Sequence, residues 1–97
     1  MMMELGGNIT LVGFKERDFA EIIVVKKLVG QYARRFHDNI SGFEHLSVTL
    51  KNVGTNKLEL HSKCEVSGTS YNGEVTDRNL FVALDSVLKK ILVQIEK

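Results

Sequence analysis

The stretch Lys57-Leu58-Glu59-Leu60-His61-Ser62-Lys63-Cys64-Glu65-Val66 alternates charged or polar residues with apolar or small ones over its whole length. Side chains alternate across a strand, so Leu58, Leu60, Ser62, Cys64 and Val66 form one row and Lys57, Glu59, His61, Lys63 and Glu65 the other. A row of alternating charge belongs in water. The strand therefore lies in a sheet with one wet face, and whatever covers that sheet must cover the opposite face. Just upstream, Leu46, Val48 and Leu50 alternate with Ser47, Thr49 and Lys51 in the same way, and Gly54-Thr55-Asn56 supplies the turn between the two strands. Downstream, Ser67-Gly68 turns the chain into a short strand from Tyr71 to Thr76. Asn72-Gly73 is also a hairpin-turn signal. With Ser67-Gly68 taken as the turn, Asn72-Gly73 becomes a bulge within the strand.

Working outward, the period changes from two to about 3.6. Asn8 to Phe14 is rich in apolar and β-branched residues and reads as a first strand. Asp18 then offers a helix N-cap, with Glu21 three residues on in capping-box position. Ile22, Val25, Val29, Tyr32 and Phe36 follow at steps of three and four, which sets them on one helical stripe. Lys26, Lys27, Gln31, Arg34, Arg35 and Asp38 fall on the other side. Ser41-Gly42 stops this helix near Asn39. Gly30 within it costs about 1 kcal/mol relative to alanine, so a close packing contact is expected there.

The last helix is expected to be capped by Thr76 or Asp77 and to run to the end of the chain. Leu80, Leu84, Val87, Leu88, Ile91 and Ile95 give it a broad apolar face, with Phe81 and Leu92 on the flanks. Asp85, Ser86, Lys89, Lys90 and Gln94 are left exposed.

The expected fold is thus α+β, in the order β-α-β-β-β-α, with a four-stranded sheet and two helices packed on one face. The first two strands pair in parallel through a right-handed crossover. Ninety-seven residues suffice for a single domain spanning 1–97 and leave no room for two cores. Residues 1–7, which open Met1-Met2-Met3-Glu4, are expected to be a disordered N-terminal segment without the features of a secretory signal. No apolar run approaches the ~20 residues of a membrane span. The single cysteine excludes an internal disulfide and fits a reducing, cytoplasmic setting.

Candidate chemistry is thin. His61 and Cys64 are three apart on a strand and so face opposite ways, which excludes a thiolate–imidazole pair or a shared metal. Cys64 reads as a small core residue. His37 and His45 flank the helix-to-strand loop with no ligand set beside them. Asp77 and Asp85 lie two turns apart on the last helix without partners for acid–base work. Gly6-Gly7 precedes a strand instead of opening a helix, unlike a phosphate-binding loop. No catalytic residue, metal, cofactor or small-molecule substrate is expected, and the chain does not read as an enzyme.

What remains is charge placement. The formal net charge is only +1, so a nucleic-acid role must rest on where the charges sit. Lys26, Lys27, Arg34 and Arg35 on the first helix and Lys89 and Lys90 on the last merge into one basic ridge if the helices lie side by side. The same placement also suits the helix dipole, which favours bases toward helix ends.

The segment from Asp77 to Ile91 (DRNLFVALDSVLKKI) resembles the last helix of the ribosome hibernation-promoting and ribosome-associated inhibitor proteins. That family shows an aromatic, an alanine two on, a branched aliphatic, an aspartate and a lysine five further along. Phe81, Ala83, Leu84, Asp85 and Lys90 answer to these, and Gln94 fits a glutamine common near the family's end. Asn8-Ile9-Thr10 resembles the start of its first strand, and the element order agrees over nearly the whole chain. Lys89 stands where relatives commonly carry an acid, and Leu92 and Val93 replace polar positions, which widens the apolar face toward another partner or a weak homodimer.

The resemblance implies binding to small-subunit rRNA in the channel used by messenger and transfer RNAs. Translation would be blocked by occupancy, or idle ribosomes stabilised. It carries over Lys90 by motif, while Lys26, Lys27, Arg34, Arg35 and Lys89 join it by their outward position. Two other readings compete. One is a double-stranded-RNA-binding module, whose α-β-β-β-α order lies inside this one but whose lysines belong at the start of the last helix. The other is a protein-interaction domain indifferent to RNA.

Overall fold

The computed structural model describes residues 2–4, 8–15, 17–52 and 56–96. Strand β1 (Met2–Glu4) and strand β2 (Ile9–Val12) lead into helix α1 (Phe19–Asn39). Strands β3 (Phe43–Asn52), β4 (Leu58–Val66) and β5 (Thr69–Asp77) follow, and helix α2 (Leu80–Glu96) closes the chain. The four expected strands and two helices are all present, in the expected order. Strand β1, within the segment expected to be disordered, pairs antiparallel with β2 and adds a fifth strand at the edge. The rest of that segment lies outside the described residues, as do Gly54 and Thr55 of the expected Gly54-Thr55-Asn56 turn.

The sheet order is β1-β2-β3-β4-β5, with β2 and β3 parallel and every other pair antiparallel. Helix α1 makes the crossover between the parallel strands. Leu46, Val48 and Leu50 of β3 and Leu58, Leu60, Cys64 and Val66 of β4 are buried beneath the helices. Ser62, the polar member of that inward row, is buried too and donates its hydroxyl to the Ser47 carbonyl at 2.9 Å. That bond removes the penalty of an unsatisfied group in the core.

Helix α1 starts as its sequence demands. The Asp18 carboxylate accepts from the Ala20 N–H, the Glu21 carboxylate accepts from the Asp18 N–H, and Arg17 pairs with Glu21 at 2.8 Å. Val25, Val29, Tyr32, Ala33 and Phe36 are buried, and Ile22 is half-buried at the stripe's edge. Helix α2 buries Leu80, Ala83, Leu84, Val87, Leu88, Ile91 and Leu92. Leu92 therefore belongs to the core, while Val93 stays exposed. The cap of α2 falls on Asn79, not on Thr76 or Asp77. The Asn79 side-chain oxygen accepts from the Phe81 and Val82 N–H groups, and Asp77 sits one step back, accepting from the Asn79 N–H.

Two glycines depart from expectation. Asn72-Gly73 is neither a turn nor a bulge, because the β4–β5 register runs unbroken from Leu58↔Asp77 to Val66↔Thr69. The turn is Ser67-Gly68, whose φ angles of 49° and 81° are both positive, as a two-residue primed hairpin turn requires. Gly73 faces α2, where an added Cβ would lie 3.2 Å from the Val87 carbonyl oxygen and 3.3 Å from the Ile91 side chain. Its missing side chain lets the helix sit close against the edge strand. Gly30 makes no such contact, for a Cβ there would meet nothing within 4 Å.

Opposite outcomes follow for the two positions in urea unfolding. Gly30→Ala should stabilise the chain by about 0.5–1 kcal/mol, since it adds helix propensity in open space. Gly73→Ala should cost about 1–3 kcal/mol, because helix backbone must yield. Burial, aided by the neighbouring Glu65 charge, pushes the Cys64 thiol from 9.0 up to about 11. The folded-state value is raised, so its contribution to stability is complete below pH 9 and is lost as pH climbs through about 11. At pH 8 the native thiol should not react with a disulfide-exchange dye, and it should react fully once urea unfolds the chain.

Candidate nucleic-acid interface

Because the wet face of the sheet is polar, both helices share the other face, and their outer surfaces form one layer. Tyr32 and Asp85 define how they meet. Tyr32 lies on the buried stripe of α1, yet its ring carries a hydroxyl that needs a partner. It finds one across the seam, donating to the Asp85 carboxylate at 2.6 Å. Burial pushes the Tyr32 hydroxyl up to about 12, with the Asp85 hydrogen bond and charge adding to the rise and Arg35 opposing it. The tyrosine thus stays a donor at every ordinary pH.

Cations stand at both ends of this bond. The Arg35 guanidinium lies over the Tyr32 ring, 5.4 Å from its centroid, a distance at which the ring face attracts it. Lys89 pairs with the other side of the Asp85 carboxylate at 3.7 Å. A chain Arg35–Tyr32–Asp85–Lys89 therefore crosses the seam and sets one cation from each helix beside it. Asp85 had no foreseeable partner in the sequence. The available signal was a tyrosine on a buried stripe, which requires an acceptor nearby.

All six basic residues expected at the interface are exposed, but they do not form one continuous ridge. Lys27 lines a groove between the helices together with Val24, Leu28, Gln31, Phe81, Val82 and Asp85. Arg34 lies on the outer pole of α1, opposite the buried stripe. Lys26, one residue before Lys27 on the helix, is carried to the flank away from the groove. Lys90 points to the far flank of α2, where its ammonium donates to the Glu74 carbonyl of β5 at 3.2 Å. Lys27, Arg35 and Lys89 thus stand toward the seam, Arg34 crowns the outer surface of α1, and Lys26 and Lys90 lie on the flanks. Among the described residues, Lys26, Lys27, Arg34 and Arg35 make no ion pair. An apolar strip runs through the seam at Val24 and Val82, both exposed, while Ile23 and Phe19 are exposed farther round α1, turned away from the groove.

The family-like residues of α2 have structural partners here. Ala83 and Leu84 are buried, Asp85 accepts from Tyr32, and Lys90 and Gln94 donate to the β5 carbonyls of Glu74 and Asn72. His45 shares a hydrogen bond of 2.9 Å with Thr10, and His37 stands in solvent beside Asp38. Among the described residues, no helix is long and apolar enough to cross a membrane.

A mixed sheet with a single parallel pair, two helices on one face and a β-α-β-β-β-α order defines an α+β fold that solved structures share. The chain has a TM-score of 0.67 with a ribosomal subunit interface protein from Coxiella burnetii, at 10% identity, over 92% of this chain and 91% of that one. With the N-terminal domain of Protein Y from Thermus thermophilus the TM-score is 0.66 at 19% identity, covering 92% of each chain. At these identities the likeness is one of fold, and it agrees with the resemblance carried by α2. No protein-family model matches the sequence, and no curated protein matches it.

Tyr32→Phe should cost about 1.5 kcal/mol in urea unfolding, the low end for a hydrogen bond to a charged group, because water can reach the stranded Asp85. Asp85→Asn should cost a similar amount. The double variant should cost less than the sum of the two, since both delete one interaction.

Proposed function

We propose that this chain binds the ribosome, using the helix layer to contact small-subunit rRNA, and that it inhibits translation or stabilises idle ribosomes by occupancy without catalysing a reaction. The observation that carries this reading is the fold, shared over more than nine-tenths of both chains with a protein described as a ribosomal subunit interface protein. The charges on that layer supply the chemistry. Lys27, Arg34, Arg35 and Lys89 can neutralise phosphates and release counterions, and the two arginines can fork onto phosphate oxygens. Lys26 and Lys90 extend the contact at the flanks. A ribosomal role places the protein in the cytoplasm.

A second reading draws on the exposed apolar strip at Val24 and Val82, with Ile23 and Phe19 exposed farther round α1. Phosphates have no use for such a strip, whereas a protein surface, including a second copy in a weak homodimer, does. A double-stranded-RNA module is disfavoured, because the start of α2 is given to capping by Asp77 and Asn79 instead of to lysines.

Co-sedimentation with purified small subunits separates the readings. Retention at 50 mM salt should weaken by on the order of a hundredfold by 200 mM if about four phosphates are contacted. The variant K27Q/R34Q/R35Q should bind more weakly and with a shallower salt dependence, losing about one unit of slope per contact removed. A protein that stays in the supernatant at every salt concentration would end the ribosomal reading. Concentration-dependent oligomers in the same buffers would favour the apolar strip as the functional surface.

A further inference from the structure

The sheet face turned away from the helices holds a second concentration of chemistry. Glu59 and His61 are two apart on β4 and project from the same side. The register sets Glu74 of β5 directly opposite His61. The Glu59 carboxylate meets His61 Nε2, and a Glu74 oxygen lies 3.8 Å from His61 Nδ1. One donor atom from each of the three side chains lies within 4.8 Å of the other two.

Two features set this cluster apart from the solvated charges around it. The register places Lys51 of β3 opposite Glu59 and Lys63 two pairs along from His61, on the same face. Yet among the described residues neither Glu59 nor Glu74 pairs with a lysine, and Lys63 turns to Glu65. Both carboxylates converge on the imidazole. That sets two carboxylates on one imidazole, an arrangement that a shared cation can bridge. The second feature is the scaffold. All three residues sit inside an unbroken antiparallel ladder, so their spacing is held by backbone hydrogen bonds and not by a loop.

We propose that Glu59, His61 and Glu74 form a binding site for a divalent ion of the zinc type. One imidazole nitrogen and two carboxylate oxygens make a borderline donor set, which suits zinc and its transition-metal neighbours better than magnesium or calcium, both of which prefer oxygen alone. Small side-chain movements bring the donors to about 2.0–2.2 Å from a shared ion. Water fills the remaining positions, because Glu74 is well exposed. The ion would tie β4 to β5 on the face opposite the helix layer, and so would act on stability without touching the proposed RNA contact.

The test is calorimetric titration of zinc chloride into the tag-free, chelator-washed full chain at neutral pH. A single saturable site is expected, weakened at least about tenfold by His61→Ala and by Glu74→Gln, and unchanged by His37→Ala. Zinc should raise the melting temperature of the parent chain and leave that of His61→Ala unmoved. Glu74 lies exposed on the edge strand, so Glu74→Gln keeps the fold and reports on binding even if the histidine variant folds poorly. Absence of saturable binding, binding that survives in Glu74→Gln, or equal affinity for magnesium would each overturn the proposal.

Discussion

A sheet with charge on one face has one face left to bury, and the rest of this molecule follows from that restriction. The outward row of β4 carries Glu59, His61, Lys63 and Glu65, so two amphipathic helices compete for the same ground. They settle side by side, and their flanks must then agree with each other as well as with the sheet. The Tyr32–Asp85 bond is where that agreement is reached, at the one buried hydroxyl of α1 that faces a neighbouring helix. Without a shared face there would be no seam, and Arg35 and Lys89 would have no common reference.

Much of this was legible in the sequence, because alternation and helical period are local signals. Leu58 through Val66 reported their faces correctly, and so did Val25, Val29 and Phe36. The Asp18–Glu21 capping box was readable for the same reason, since both partners lie within one turn. What escaped were features decided across long separations. Gly73 looked like a bulge because asparagine–glycine is a turn signal in isolation. Its real purpose, room for Val87 and Ile91 of α2, depends on a helix that starts seven residues later. The cap was expected at Thr76 or Asp77 and falls on Asn79, because several neighbouring side chains there are good acceptors and only the path of the chain decides between them. The short strand β1 carries too little pattern to announce itself, and its pairing with β2 exists only in three dimensions.

The candidate interface was legible in composition and less so in arrangement. Six exposed bases were named correctly as exposed, yet helical rotation separates them. Lys27 and Arg35 look toward the seam, while Lys90 is turned outward to a strand carbonyl. The residues of α2 that carry the family resemblance are also the ones most engaged in holding the fold. A motif of that kind reports architecture first, which is consistent with a likeness to solved structures that is strong in shape and weak in identity. The Glu59–His61–Glu74 cluster was hidden for a different reason, since β5 contributes one of its three members from across the hairpin.

The bonds from Lys90 and Gln94 to the carbonyls of Glu74 and Asn72 have a bearing on how this molecule keeps to itself. Strand β5 is an outer strand, and its unpaired backbone groups are a template on which another chain could add a strand. Two side chains from the last helix reach over and occupy that template, one of them bringing a full positive charge. At the other margin the outermost strand is just three residues long, too short to guide a partner into register. Sheet growth between molecules is thereby discouraged at both borders, and the chain stays available for association through its helices.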